Sequence, residues 1–269
     1  MTAVLLLAGG LAGGLIGAVL GIGGGVLIVP LLTLGFGLSL PHAVAVSLVC
    51  VVATSTGGAA WHVRAGRADV RLAILLEVGT VLGALAAGLA APIVPERLLA
   101  AAFAVLMVYV GVAMTRRGPP VPVGSAADPA IDPSAPDGPG APAYRTHRLP
   151  ETVAGSVGAG VVSALLGVGG GVVKVPLLRL VMGVPLHVAT ATSNYIIGVT
   201  AAAGAYPYLM RGQVDPAIAG PMVLGVAAGA AAGAALAPRL RARWLAFLFA
   251  AVAAYVAIQM ALRAAGVGQ

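Results

Sequence analysis

The chain has 269 residues, of which 60% are hydrophobic and only 9% charged, with a mean hydropathy of +1.04. Soluble domains carry about a quarter charged residues, so the chain lacks the polar surface to cover a water-exposed globule and reads as an integral membrane protein. The net charge of +7 does not call for nucleic acid, because the arginines sit in short caps between apolar runs, where positive-inside topology accounts for them.

The chain opens Met-Thr-Ala-Val with no basic stretch before its first apolar run, so no cleaved signal peptide is expected. That run covers about 3–20 and is followed, across Gly21-Ile-Gly-Gly-Gly25, by a shorter one over 26–40. A spanning helix needs about 20 apolar residues, and the second piece is too short for one. The pair therefore predicts a glycine-broken helical hairpin, whose irregular backbone must be enclosed by protein. Three full-length segments follow at 42–63, 70–91 and 97–115. The lone cysteine, Cys50, lies inside the first of them, so no disulfide forms within the chain.

Residues 118–150 change character, with Gly-Pro-Pro, two Asp-Pro steps and Pro-Asp-Gly-Pro-Gly. Such a stretch cannot bury a core and reads as a flexible linker. It divides a first transmembrane repeat, 1–117, from a second, 151–269. The second repeats the first at an offset of 146 residues, without a gap, from Gly14/Gly160 through Pro30/Pro176, Ser47/Ser193, Gly83/Gly229 and Phe103/Phe249 to Arg117/Arg263. Its segments fall at 152–166 with 172–186, then 188–210, 216–238 and 244–263.

Charge placement gives the relation between the copies. In the first, the basic connection is the second loop, with Arg64, Arg67 and Arg71; in the second it is the third, with Arg239, Arg241 and Arg243. Inverted copies put both clusters on one face, together with Arg116, Arg117, Arg145 and Arg148 at the linker ends. The expected fold class is thus an all-α polytopic membrane protein with two inverted repeats, each a Gly-broken helical hairpin plus three transmembrane helices. The linker is cytoplasmic and both termini lie outside.

Few residues can carry chemistry. The clusters ending in Gly23, Gly24, Gly25 and in Gly169, Gly170, Gly171 can turn several amides toward one point at the start of a helix, a donor site suited to a small oxyanion. Tight helix packing is the other reading of the same glycines. Lys174 is the only lysine. It follows the second cluster by one turn and either compensates a bound anion or snorkels to the cytoplasmic interface. Thr192, Ser193 and Asn194, with Ser47 in the first copy, offer neutral donors, or bonds between helices. Glu77 is the one acid well inside an apolar segment, suggesting proton coupling or pairing with a nearby arginine. His42 and His187 read as turn residues, and His62 and Trp61 as interface anchors. No metal site, cofactor or catalytic constellation is expected.

The paired G-[IV]-G-G-G-x-[LV]-x-V-P-L-L blocks, the Ala-Thr-Ser-Asn of 191–194 and the Gly-x-[VA]-Asp of 66–69 and 212–215 resemble the TauE/SafE sulfite exporter family of membrane permeases. The resemblance covers everything but the linker. It implies a secondary transporter, in the export direction, for a small inorganic or organosulfur anion such as sulfite, sulfoacetate or thiosulfate. A multi-pass protein of the bacterial inner membrane, in contact with the lipid bilayer, is expected, and Glu77 leaves room for coupling to protons or sodium. A channel-like pore, or a permease for another small anion, is the alternative. Val46 stands where the family often has threonine, which puts the first half's equal contribution in doubt.

Overall fold

The computed structural model describes residues 2–20, 25–64, 70–116, 149–180, 186–236 and 242–265, and these are helical apart from short turns. The first repeat holds α1 (Thr2–Leu20), α2 (Gly25–Pro30) continued by a π-helical turn Leu31–Gly35, α3 (Leu40–Arg64), α4 (Val70–Ala90) and α5 (Glu96–Arg116). The second holds α6 (Leu149–Leu166), α7 (Gly171–Leu180), α8 (Leu186–Met210), α9 (Pro216–Leu236) and α10 (Ala242–Ala264). The linker expected over 118–150 lies outside the described residues except for Leu149 and Pro150, which open α6.

Three of the described helix ends are closed by charged side chains. Glu96 Oε1 accepts from the Leu40 amide at 2.9 Å, capping α3 from the start of α5. Asp215 Oδ1 accepts from the Ala217 amide at 2.8 Å, with Pro216 in the first helical position, where no N–H is missed. Arg211 donates to the Gly88 and Leu89 carbonyls, both at 2.8 Å, closing the C-terminal end of α4 from the other repeat.

The two repeats interlock by exchanging equivalent helices. α1 packs on α9, its counterpart α6 packs on α4, and the pairs α3·α8 and α5·α10 join each helix to its own counterpart. Glycines set the distance. A Cβ on Gly83 would strike the Val157 carbonyl, and one on Gly229 the Leu11 carbonyl; one on Gly160 would strike Thr80 O, and one on Gly14 Val226 O. Each contact recurs at the 146-residue offset, so one close-packed interface is built twice.

The same approaches give helix directions. Gly10 faces Met222 and Gly14 faces Val226, so α1 and α9 run the same way. Gly198 faces Ser55 and Gly204 faces Leu48, so α3 and α8 run oppositely. Gly9 lies against Leu31 and Gly13 against Ile28, so α2 folds back along α1; Gly155 lies against Leu177 in the matching place of the second repeat.

α3 and α8 form the centre, where Ala43, Val44, Ala45, Ser47, Leu48, Thr192 and Ser193 are fully buried. The outward faces are apolar too: Ile74, Val78, Leu82 and Leu89 on α4, Val105 and Val108 on α5, and Tyr255 and Ile258 on α10 are all exposed. An apolar perimeter of this extent suits hydrocarbon and not water. Leu72–Ile93 and Pro216–Gly233, the same element in each repeat, are long and apolar enough to cross a bilayer.

Candidate functional site

The break between α6 and α7 is built by left-handed glycines. Gly167, Gly169 and Gly170 have φ of +70°, +72° and +77°, a conformation that costs a side-chain-bearing residue but not glycine. α6 closes with the Gly167 amide on Ser163 O at 2.9 Å, and α7 begins with the Val173 and Lys174 amides on Gly170 O at 3.1 and 2.9 Å. Among the described residues, the amides of Gly169, Gly170 and Gly171 have no backbone acceptor. They stand where a helix start leaves amides without an intrahelical acceptor.

Both central helices close over this turn. The Ser47 hydroxyl donates to Gly167 O at 2.7 Å and lies 3.3 Å from Gly25 O, tying the tip of one hairpin to the tip of the other. The tips touch: a Cβ on Gly25 would sit 2.5 Å from Gly167 O. Ser193, equivalent to Ser47, is fully buried, and its Oγ has no partner among the described residues. That oxygen lies 3.6 Å from the Cβ position of Gly171. Ser163 Oγ is also buried and unpartnered, and Ser163 Cβ lies 3.3 Å from the Cβ position of Gly170. Two buried hydroxyls without partners beside one turn need a physical explanation, and a ligand accepting from both supplies one.

Lys174 rises from the first turn of α7, with its Cε 3.6 Å from the Gly170 Cβ position. Its side chain is 2% exposed, and its ammonium lies 3.5 Å from Glu77 Oε2 on α4. It donates to Thr200 Oγ1 at 2.6 Å, and that hydroxyl donates to Glu77 Oε1 at 2.9 Å. Thr80 Oγ1 lies 3.1 Å from Glu77 Oε2 and 3.2 Å from Thr200 Oγ1. A lysine, a carboxylate and two threonines thus form one buried network at the meeting of the two repeats.

The structure brings together Gly169, Gly170, Gly171, Lys174, Ser193, Ser47 and Gly25 from the sequence expectations. Gly23 and Gly24 lie outside the described residues, as does the side chain of Asn194, whose backbone is part of α8. Thr192 is buried on α8 beside Ser193. The snorkelling reading of Lys174 fails, because the ammonium is enclosed and held by Glu77 and Thr200. Among the described residues, the ion-pair partner of Glu77 is that lysine. Sequence reasoning missed Ser163, Thr80 and Thr200. Ser163 precedes Gly167 by four residues, a spacing that puts it on the helix face leading into the break.

His42 bonds Ser39 at 2.7 Å and lines, with Val46, Gln213 and Asp215, a pocket of about 220 Å³ between the start of α3 and the α8–α9 turn. Among the described residues, no group of three or more His, Cys, Asp or Glu side chains comes together.

Fold and site together define a helical membrane protein with a buried polar centre between two repeats. Residues 5–260 match the family described as sulfite exporter TauE/SafE, and the chain belongs to that family of membrane transporters. It is 24% identical over 222 residues to the probable membrane transporter protein YunE of Bacillus subtilis (strain 168), covering 80% of this chain and 81% of that one. No solved structure matches the chain.

Proposed function

We propose that the protein is a secondary transporter of a small sulfur-containing oxyanion such as sulfite, sulfoacetate or thiosulfate, working in the export direction by alternating access at the interface of the two repeats. The observation that carries this reading is the Gly169–Gly171 turn, whose amides at the start of α7 have no backbone acceptor among the described residues, with the hydroxyls of Ser163 and Ser193 beside it, also without partners among them. Amides and hydroxyls are donors matched to an oxyanion, and they need no fixed charge of their own. Lys174 is the charged group described at the turn and compensates the anion. Gly25 and Ser47 join the first hairpin to the site, with Gly23, Gly24, Thr192 and Asn194 completing it.

Inverted repeats fit the alternating mechanism and have independent support. Opposite directions of α3 and α8, together with hairpins whose tips touch, match two copies related by an axis in the membrane plane. α2 and its π-helical turn, of six and five residues, reach only about 16 Å, so the hairpins re-enter rather than span. The chain then crosses a bacterial inner membrane several times, with 1–117 and 151–269 as the two repeats and 118–150 as a cytoplasmic linker.

The test is equilibrium binding of sulfite, thiosulfate, sulfoacetate, sulfate and acetate to the purified protein. Saturable binding of the sulfur oxyanions, weakened by Ser163→Ala and Ser193→Ala, is expected. Binding that ignores both substitutions removes the site.

A further inference from the structure

We propose that Glu77 and Lys174 form a proton-linked charge switch: Lys174 is counter-ion to the ionised Glu77 until an anion binds, and to the anion once Glu77 has taken up a proton. The proposal rests on the anion-site reading above and adds the coupling device.

The internal duplication supplies the control. At the 146-residue offset, Lys174 corresponds to Ile28, Glu77 to Val223 and Thr80 to Val226. Ile28 and Val226 are fully buried, and Val223 packs partly buried against the core. The fold therefore accommodates an apolar trio at these positions. The fourth position is threonine in both copies, but Thr54 bonds back to its own helix at Val51 O while Thr200 bridges Lys174 and Glu77. Three substitutions spread over α4 and α7 turn one of two equivalent sites polar. A buried ion pair contributes little stability that packed apolar residues would not, so folding does not explain the set.

The lysine stem joins the two places. It passes the Gly170 turn at its Cε and ends on Glu77, so a modest change of side-chain torsions carries the ammonium between carboxylate and anion. α4 is packed at Glu77 by α6 and α8, with α7 beyond. The titratable and charged side chains described on those helices are Glu151 on the exposed first turn of α6, Lys174 on α7, and Tyr206 and Tyr208 on α8; Tyr208 donates to Ala164 O. Arg71, Arg179, His187 and Tyr195 are also on these elements, with side chains outside the described residues. The described side-chain contacts of the carboxylate are Lys174, Thr80 and Thr200.

With Glu77 ionised, a bound anion would share one ammonium with a second negative charge in a low-dielectric site, which favours protonation of the carboxylate. The proton comes from water and joins a Glu77 oxygen, while the ammonium keeps all its protons. One proton thus enters with each anion. A monovalent sulfonate moves without net charge, and divalent thiosulfate carries one negative charge.

Titration calorimetry of thiosulfate on the full-length protein, in buffers of different ionisation enthalpy, reads the proton directly. The expected result is one proton taken up per thiosulfate, with affinity falling about tenfold per pH unit on the alkaline side. Glu77→Gln should bind with no proton uptake and with one affinity across the pH range in which Lys174 stays protonated. Glu77→Val combined with Lys174→Ile recreates two of the three apolar residues of the other half; it should fold normally and bind at least tenfold more weakly. Wild-type binding without proton uptake, or uptake that persists in Glu77→Gln, overturns the switch and leaves the anion site standing. If Glu77→Gln does not fold, unchanged affinity or surviving uptake in the double variant overturns it. Failure of the wild type to bind any of thiosulfate, sulfite and sulfoacetate overturns both readings.

Discussion

Lys174 Nζ lies 3.5 Å from Glu77 Oε2, joining α7 of the second repeat to α4 of the first across 97 sequence positions. Removing one member of a buried pair strands the other and costs roughly 3–5 kcal/mol, whereas replacing both by packed apolar groups is often neutral or stabilising. Lys174→Met should therefore lower the melting temperature, and adding Glu77→Val should restore it. Equal melting temperatures for the single variant and the wild type would mean that the pair does not form.

Lys174→Met combined with Glu77→Val should also weaken thiosulfate binding by about one to two decades, the worth of a charge-assisted contact at roughly 1.5–3 kcal/mol. Lys174→Arg should not rescue, because a planar fork cannot replace a compact ammonium between Thr200 and Glu77. Binding isotherms on the purified variants check both expectations.

Gly170→Ala meets two obstacles, a φ of +77° and the proximity of Ser163 Cβ, Ala159 O and Lys174 Cε. The backbone term, about 1–2 kcal/mol, also appears in Gly37→Ala, where φ is +69° and nothing lies within 4 Å. Gly170→Ala should lose at least as much stability as Gly37→Ala. Only Gly170→Ala should lose anion affinity, which separates the donor turn from mere strain.

Ser47 and Ser193 are equivalent in sequence and should behave oppositely. Ser47→Ala removes the bond to Gly167 O and leaves that carbonyl unpaired, at about 1–3 kcal/mol of stability. Ser193→Ala removes a hydroxyl with no described partner, so stability without ligand should hold while affinity drops by about 0.5–1.5 kcal/mol. Thermal melts with and without thiosulfate distinguish them.

Much of the fold was legible because its signals are local. Apolar length located the helices to within a few residues, and the 146-residue repeat paired them. The π-helical turn after Pro30 was not legible: the proline removes a ladder donor, and the next turn widens, with Thr33 bonding Val29 O. The glycine turn could be read from its density. The network at Lys174 could not, since aligning the copies sets Lys174 against Ile28 and Glu77 against Val223, and nothing local shows that α4 and α7 meet. Ser163 was hidden for a similar reason, its counterpart being Gly17.

The orientation of the copies is open to labelling. With Cys50 replaced, a cysteine in 118–150 should stay protected from an impermeant reagent in intact cells, and one near residue 266 should react. The reverse pattern would rule out inverted repeats with a cytoplasmic linker.

Counterflow tests the central claim, a carrier with one anion site reached from either side, most directly. Proteoliposomes preloaded with unlabelled thiosulfate and diluted into a trace of radiolabelled thiosulfate should accumulate label above its equilibrium level before releasing it, with rates that saturate. Label that only equilibrates, at a rate linear in concentration and indifferent to the preload, would show a pore and contradict the account.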